Sequence, residues 1–181
     1  MKRLPQKITG ENIELIKITP DKDDKQLEEL LFVYKRNRKH LYFWHHEIKE
    51  LLFDTTDDIK KYIKKGGVSF YVLYFSGKII GSIELGALYT EENLKYRNLA
   101  YWIDEGYTRK GIMYKSLLLI EEVLFKQELD GLSVKTDTKN KAAIHLIQKL
   151  NYKFENTGMF ISMDGKTDLN FFSYKKNKPV K

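Results

Sequence analysis

The chain has 181 residues, with 32 Lys and Arg against 25 Asp and Glu for a net charge of +7, and it has no cysteine. That length suits one domain, and 42% hydrophobic with 13% aromatic residues is enough for a buried core. The missing thiols exclude disulfides, thiolate zinc sites, Fe–S clusters and a cysteine nucleophile. The basic start, Met1 to Lys7, leads into no apolar run, and no stretch nears the ~18 apolar residues of a membrane span. A cytoplasmic protein without a membrane partner is expected.

Ile8 to Ile18 alternates at Ile13 and Leu15, as one strand would. Thr19-Pro20-Asp21 reads as a helix start, followed by Leu27, Leu30, Leu31 and Tyr34 on one helical face. Thr55-Thr56-Asp57-Asp58 opens a second helix through Ile59, Tyr62 and Ile63, which Gly66-Gly67 closes. Val68 to Phe75 is aromatic and β-branched. Ser76-Gly77 then turns the chain into an antiparallel partner, Lys78 to Leu88. Leu99 to Ile103 forms a further strand. A long helix after Gly111 buries Met113, Leu117, Ile120 and Leu124. Leu132, Val134 and Thr136 alternate as a strand. Asn140 opens a last helix with Ala143, Leu146, Ile147 and Leu150 inward. Two strands end the chain around the turn Asp164-Gly165, and a basic tail, 175–181, follows. The order β-α-α-β-β-β-α-β-α-β-β predicts a single-domain α/β (α+β) fold, parallel where helices separate strands and antiparallel at hairpins.

The segment from Tyr101-Trp102-Ile103 through Thr108-Arg109-Lys110-Gly111 to Ile112-Met113 is strand, glycine-bearing loop, helix. A helix start carries unpaired amides and favours an anion. Arg109 and Lys110 add positive charge. The sequence lacks the Gly-Lys-Ser/Thr ending of a triphosphate loop and the G-x-G-x-x-G of a dinucleotide fold. The residues alone leave two readings, a diphosphate cradle and a solvated turn.

This segment, with Asn37-Arg38-Lys39-His40-Leu41 and Trp44 before it, and Asn140-Lys141-Ala142-Ala143 and Lys149-Leu150-Asn151-Tyr152 after it, resembles the GNAT acetyltransferases. More narrowly, it resembles the Rim-type ribosomal-protein N-terminal acetyltransferases. The resemblance implies the GNAT fold, a mixed central sheet of about six to seven strands flanked by about four helices. It implies acetyl-CoA as co-substrate, no metal, and an amine acceptor such as a ribosomal-protein N-terminus. Alternatives in the same fold are acetylation of a small-molecule amine and a non-catalytic acyl-CoA-binding protein. By the same resemblance the backbone of Tyr101, Trp102 and Ile103 pairs with the pantetheine arm, and Thr108, Arg109, Lys110, Gly111, Ile112 and Met113 bind the pyrophosphate. Thr108 stands where the family has Arg or Gln, and Met113 where it has a small residue. Asn140 reads either as a coenzyme contact or as a helix N-cap.

The family's usual catalytic side chains are replaced by Ala143, Ile147 and Asn98. An enzyme is still feasible. Deprotonating an α-amine of pKa ~8 at pH 7 costs about 1.4 kcal/mol, against roughly 4.6 kcal/mol for a lysine. Two candidate groups remain. Glu84 alternates away from Ile83 and Leu85, toward the acceptor cleft or toward solvent. His145 lies near the expected sulfur position, off the buried helix face. Tyr101 and Tyr107 are alternative acids. His40, His45 and His46 lack metal-like spacing. The run Lys35-Arg36-Asn37-Arg38-Lys39-His40 reads as the C-terminus of a helix and as a basic rim of the acceptor cleft, with no nucleic acid expected to bind. The sequence leaves the oligomeric state open between monomer and homodimer.

Overall fold

The computed structural model describes residues 3–21, 23–45, 53–161 and 168–179, and at 42–45, 160–161 and 168–169 the backbone alone. Eight strands form one sheet: β1 (Lys7–Gly10), β2 (Ile13–Lys17), β3 (Ser69–Phe75), β4 (Lys78–Glu91), β5 (Leu94–Ile103), β6 (Gly131–Asp137), β7 (Lys153–Ile161) and β8 (Asp168–Asn177). Their spatial order is β1-β2-β3-β4-β5-β6-β8-β7. Among the described residues four α-helices accompany the sheet: α1 (Asp24–His45), α2 (Thr56–Gly66), α3 (Ile112–Phe125) and α4 (Lys141–Lys149). The sheet thus has more strands than the six to seven expected. The extra one comes from 8–18, which is a hairpin and not one strand. Asn12 takes a left-handed backbone, φ 55°, and folds β1 onto β2 with Ile8 opposite Leu15.

Among the described strands β5–β6 is parallel and the other pairs are antiparallel. β8 inserts between β6 and β7, so the helix α4 joins strands that are not neighbours. The helix starts follow local chemistry. Thr55 caps α2 in a reciprocal box with Asp58, and Gly67 ends it in the left-handed conformation, φ 57°. α1 begins at Asp24, later than Pro20, because Asp23 makes the first turn: its backbone oxygen accepts from Leu27 N at 3.0 Å. Its carboxylate accepts from Thr19 N at 2.6 Å.

α1 continues to His45, so Lys35 to His40 lie inside the helix and not at its C-terminus. The buried Leu41 (4% exposed) extends its inward stripe beyond Leu27 and Leu30. The basic tail also begins later than residue 175. Lys175-Lys176-Asn177 pair with Ser133, Leu132 and Gly131 in β6, and Lys176 Nζ donates to Glu121 at 2.6 Å. The Asp164-Gly165 turn and His46 lie outside the described residues. No helix among those described is long and apolar enough to cross a membrane.

Two apolar layers sandwich the sheet. On one face Leu27, Leu30, Tyr34, Ile59 and Ile63 of α1 and α2 meet Phe70, Val72 and Ile79. On the other, Leu117, Ile120 and Leu124 of α3 and Ile147 of α4 meet Ile80, Ile83, Leu85, Leu99 and Leu132. Each such aliphatic side chain taken out of water contributes about 1.5–3 kcal/mol. Alternation, interrupted by an extra residue at Ile80 and by a second irregularity between Leu85 and Leu88, decides which face the β4 and β5 side chains reach.

Candidate active site

The sheet opens between β5 and β6. Their pairing runs from Tyr96↔Gly131 to Leu99↔Val134 and stops there. Beyond that point β5 pairs only with β4, in the register Glu84↔Ala100, Ile83↔Tyr101, Ser82↔Trp102 and Gly81↔Ile103. β6 there pairs with β8, up to Asp137↔Phe171. The backbone of Ala100 to Ile103 therefore offers donors and acceptors along an edge inside the sheet, a place for a ligand that pairs as a strand does.

The opening ends at the start of α3. Asp104 accepts from Gly106 N at 2.9 Å and shapes a 3-10 turn, Glu105–Tyr107. Thr108 Oγ1 donates to Glu105 O at 2.8 Å. Arg109 and Gly111 are both left-handed, at φ 60° and 72°, a backbone alternation found in anion-binding concavities. Gly111 is the N-cap of α3 and supplies no side-chain cap. The turn's first bond runs from Lys115 N to Gly111 O at 3.1 Å, so the amides of Ile112, Met113 and Tyr114 have no partner within the helix. The side chains of Ile112 and Met113 are buried, which leaves their backbone as the part that can reach a ligand. Lys110 Nζ donates to Gly106 O at 2.8 Å and lies 5.1 Å from the Tyr107 ring centroid. Arg109 is exposed.

Tyr101 and Ile103 point to the α3 and α4 layer, Trp102 to that of α1 and α2. The Tyr101 hydroxyl is buried without a hydrogen-bond partner. Burial pushes it far above an ordinary phenol, so it makes a poor acid. Asn140 is the N-cap of α4, its Oδ1 accepting from Ala143 N at 3.0 Å.

Glu84 is not a solvated strand acid. It is 7% exposed and faces the α1 and α2 side. Tyr62 of α2 donates its hydroxyl to Glu84 Oε2 at 2.7 Å, and Ser82 Oγ lies 3.5 Å from Oε1. Burial pushes the carboxyl above the usual carboxylate range, partly offset by the hydrogen bonds from Tyr62 and Ser82. His145 is exposed on α4, a helix on the opposite face, and the structure does not bring these two candidates together. Tyr62 was not singled out by sequence reasoning, because at three residues from Ile59 it looks like one more core position. At the other replaced positions, Ile147 is buried and Asn98 Oδ1 accepts from Ser133 Oγ at 3.4 Å.

The basic run is less available than its sequence suggests. Arg36 donates to Asp104 through Nε at 2.8 Å and again through Nη2. Arg38 donates to Phe53 O at 2.8 Å and to Asp54 Oδ1 at 2.6 Å. Lys35 and Lys39 remain exposed. Among the described residues no His, Asp and Glu cluster could hold a metal ion.

Residues 26–152 match the Acetyltransferase (GNAT) family. No curated protein matches the sequence. Among solved structures, a ribosomal-protein-S5-alanine acetyltransferase from Vibrio fischeri superposes with TM-score 0.78 at 18% identity, covering 95% of this chain and 96% of that one. An acetyl transferase from Salmonella typhimurium that modifies the N-terminal serine of ribosomal protein L7/L12 gives 0.72 at 15% identity, over 96% and 98%. The microcin C7 self-immunity acetyltransferase MccE, solved with acetyl-CoA and AMP, gives 0.75 at 14% identity, over 93% of each chain. With the family match spanning most of the sequence, the chain belongs to the GNAT acetyltransferases, enzymes that draw their acetyl group from acetyl-CoA.

Proposed function

We propose that this enzyme acetylates the α-amine of a protein N-terminus, with a ribosomal protein as the acceptor. The observation that carries the reading is the placement of Glu84. It stands directly across the β4–β5 register from Ala100, where the open edge begins, on the face away from α3. A carboxylate there can meet an amine arriving from the α1 and α2 side while the coenzyme occupies the opening. The Rim-type neighbours, similar along nearly their whole length, support the same acceptor class.

Acetyl-CoA supplies a thioester carbonyl that the amine attacks directly. The chain's own residues then have separate tasks. The amides of Ile112, Met113 and Tyr114, with Arg109 and Lys110, hold the diphosphate. The Thr108 hydroxyl braces the loop. The backbone of Tyr101, Trp102 and Ile103 pairs with the pantetheine arm, and Asn140 caps α4 through its Oδ1. Glu84 receives the amine proton through a bridging water. An α-amine needs only about 1.4 kcal/mol of deprotonation at pH 7, which a single buried carboxylate can serve. His145 takes no part in this scheme.

The test is thiol release from acetyl-CoA with two peptides, one with a free N-terminal Ser or Ala, the other Nα-blocked but containing lysine. Acetylation of the first is expected, with Glu84→Gln lowering kcat by roughly 10²–10⁴-fold. Preference for the blocked lysine peptide would end the α-amine assignment. An unchanged rate and pH profile in Glu84→Gln would end the role of Glu84.

A further inference from the structure

We propose that Tyr62 is a positioning residue for acetyl transfer: its hydroxyl holds Glu84 Oε2, keeps the buried carboxylate ionised, and leaves Oε1 as the oxygen that takes the acceptor proton from the bridging water. The inference rests on the reading of Glu84 given above.

α2 is fixed at both ends, by the Thr55–Asp58 capping box and by Gly67. Its inward stripe of Ile59 and Ile63 is buried against the sheet, and Tyr62 lies beside that stripe. The phenol is held by rings on its flank. Tyr62 meets Phe53 edge-on at 5.6 Å, Phe53 meets Tyr34 at 5.3 Å, and Tyr34 meets Trp102 at 5.8 Å. The chain of rings runs from α2 to the strand at the opening. Such contacts restrict where the hydroxyl can point.

The two carboxylate oxygens are unequal. Oε2 accepts from Tyr62 at 2.7 Å, whereas Oε1 has only Ser82 Oγ at 3.5 Å, the limit of a hydrogen bond. Oε1 is therefore the freer oxygen. Among the described residues the groups facing Glu84 are few. α2 contributes Tyr62, α1 contributes Tyr34, and β4 contributes Ser82. β3 presents Phe70 and β5 presents Ala100, neither of which titrates. Arg38 and Asp54 stand beyond Tyr34 and are bonded to each other. Among the described residues no cation pairs with Glu84. A carboxylate so placed owes its charged form to hydrogen bonds, and Tyr62 makes the short one.

Tyr62→Phe keeps the ring and removes the donor. The direct measurement is a carbon NMR titration of the Glu84 side-chain carboxyl in wild-type protein and in Tyr62→Phe. The midpoint is expected to rise by about one pH unit, a tenfold change in the ionisation constant, as loss of one charge-assisted hydrogen bond predicts. With acetyl-CoA and the Ser-initiated peptide, the acid limb of kcat/KM should move alkaline by the same amount. The KM for acetyl-CoA should stay unchanged, and activity should return at higher pH. A midpoint that does not move overturns the proposal, as does a moved midpoint with an unmoved acid limb. Glu84→Gln separates this failure from that of the underlying reading. If it abolishes the acid limb while Tyr62→Phe leaves that limb in place, Glu84 keeps its role and Tyr62 loses its own. If Glu84→Gln leaves the limb intact, both assignments fall.

Discussion

Gly81 is where a single methyl group should damage both the fold and the opening. It pairs with Ile103 on β5, and a Cβ built there would lie 3.0 Å from Ile103 Cα and 3.1 Å from the Trp102 carbonyl carbon, and would overlap the Trp102 oxygen. Ordinary contact starts near 3.4 Å, and the obstructing atoms are backbone, which cannot rotate away. β5 must therefore retreat by roughly one ångström to clear that oxygen. Overpacking of this kind costs about 1–3 kcal/mol. The gain from a stiffer unfolded chain, about 0.4–1 kcal/mol for Gly→Ala, offsets only part of it. A net loss of about 1–2 kcal/mol corresponds to a fall in Tm of about 2–8 °C for a chain of this size. The displaced residues, Trp102 and Ile103, are those assigned to the pantetheine arm, so the KM for acetyl-CoA should rise about tenfold. Gly86→Ala is the control. Its Cβ would meet Asn98 Cβ at 3.4 Å, an ordinary contact, and its Tm should stay within about 2 °C. Thermal unfolding by circular dichroism and a thiol-release assay suffice. A Gly81→Ala protein with wild-type Tm and wild-type KM would refute the close-approach argument.

Three further outcomes follow from the hydrogen-bond pattern. Asn140→Ala removes the acceptor for Ala143 N and should cost about 1 kcal/mol in urea unfolding. Asn140→Asp keeps the cap and should keep the stability. Burial opposes ionisation of Asp104, but the bonds from Arg36 and the Gly106 amide prevail and hold its carboxyl below the usual carboxylate range. Its contribution is therefore present above the unfolded value of 3.8 and is lost as the pH falls through the lower folded value. The urea midpoint of wild type should fall more steeply below pH 4 than that of Asp104→Asn, which still caps Gly106. Glu84 has the opposite sign. Burial raises its carboxyl above 4.5, so ionisation weighs against folding as the pH rises. Glu84→Gln should be more stable than wild type at pH 8, and the difference should vanish toward pH 4.

The features that were legible in sequence are those decided within a few residues. Thr55 with Asp58, Gly67 and Asn140 cap their helices where the residue types say they should. The Gly111 turn and the burial of Met113, Leu117, Ile120 and Leu124 follow from spacing alone. What was not legible depends on partners far along the chain. Glu84 is buried because Tyr62, on another element, covers it. Arg36 is neutralised by an aspartate 68 residues away, which alters the meaning of the whole basic run. The outer half of the β4–β5 hairpin is mostly exposed on both faces, from Tyr89 to Lys95. It carries no apolar alternation to read, and its turn rests on left-handed Glu92 and Asn93.

A sheet normally keeps its unpaired backbone at its outermost strands, where charge, twist or a covering helix guards it. Here such backbone lies at the centre, from Ala100 to Ile103, because β5 and β6 part after Leu99. In the proposed function the coenzyme's arm pairs along it as a temporary ninth strand, and each turnover removes that strand again. The enzyme is thus most exposed to unwanted strand pairing between catalytic cycles. Coenzyme in the storage buffer should protect it from aggregation as well as from heat.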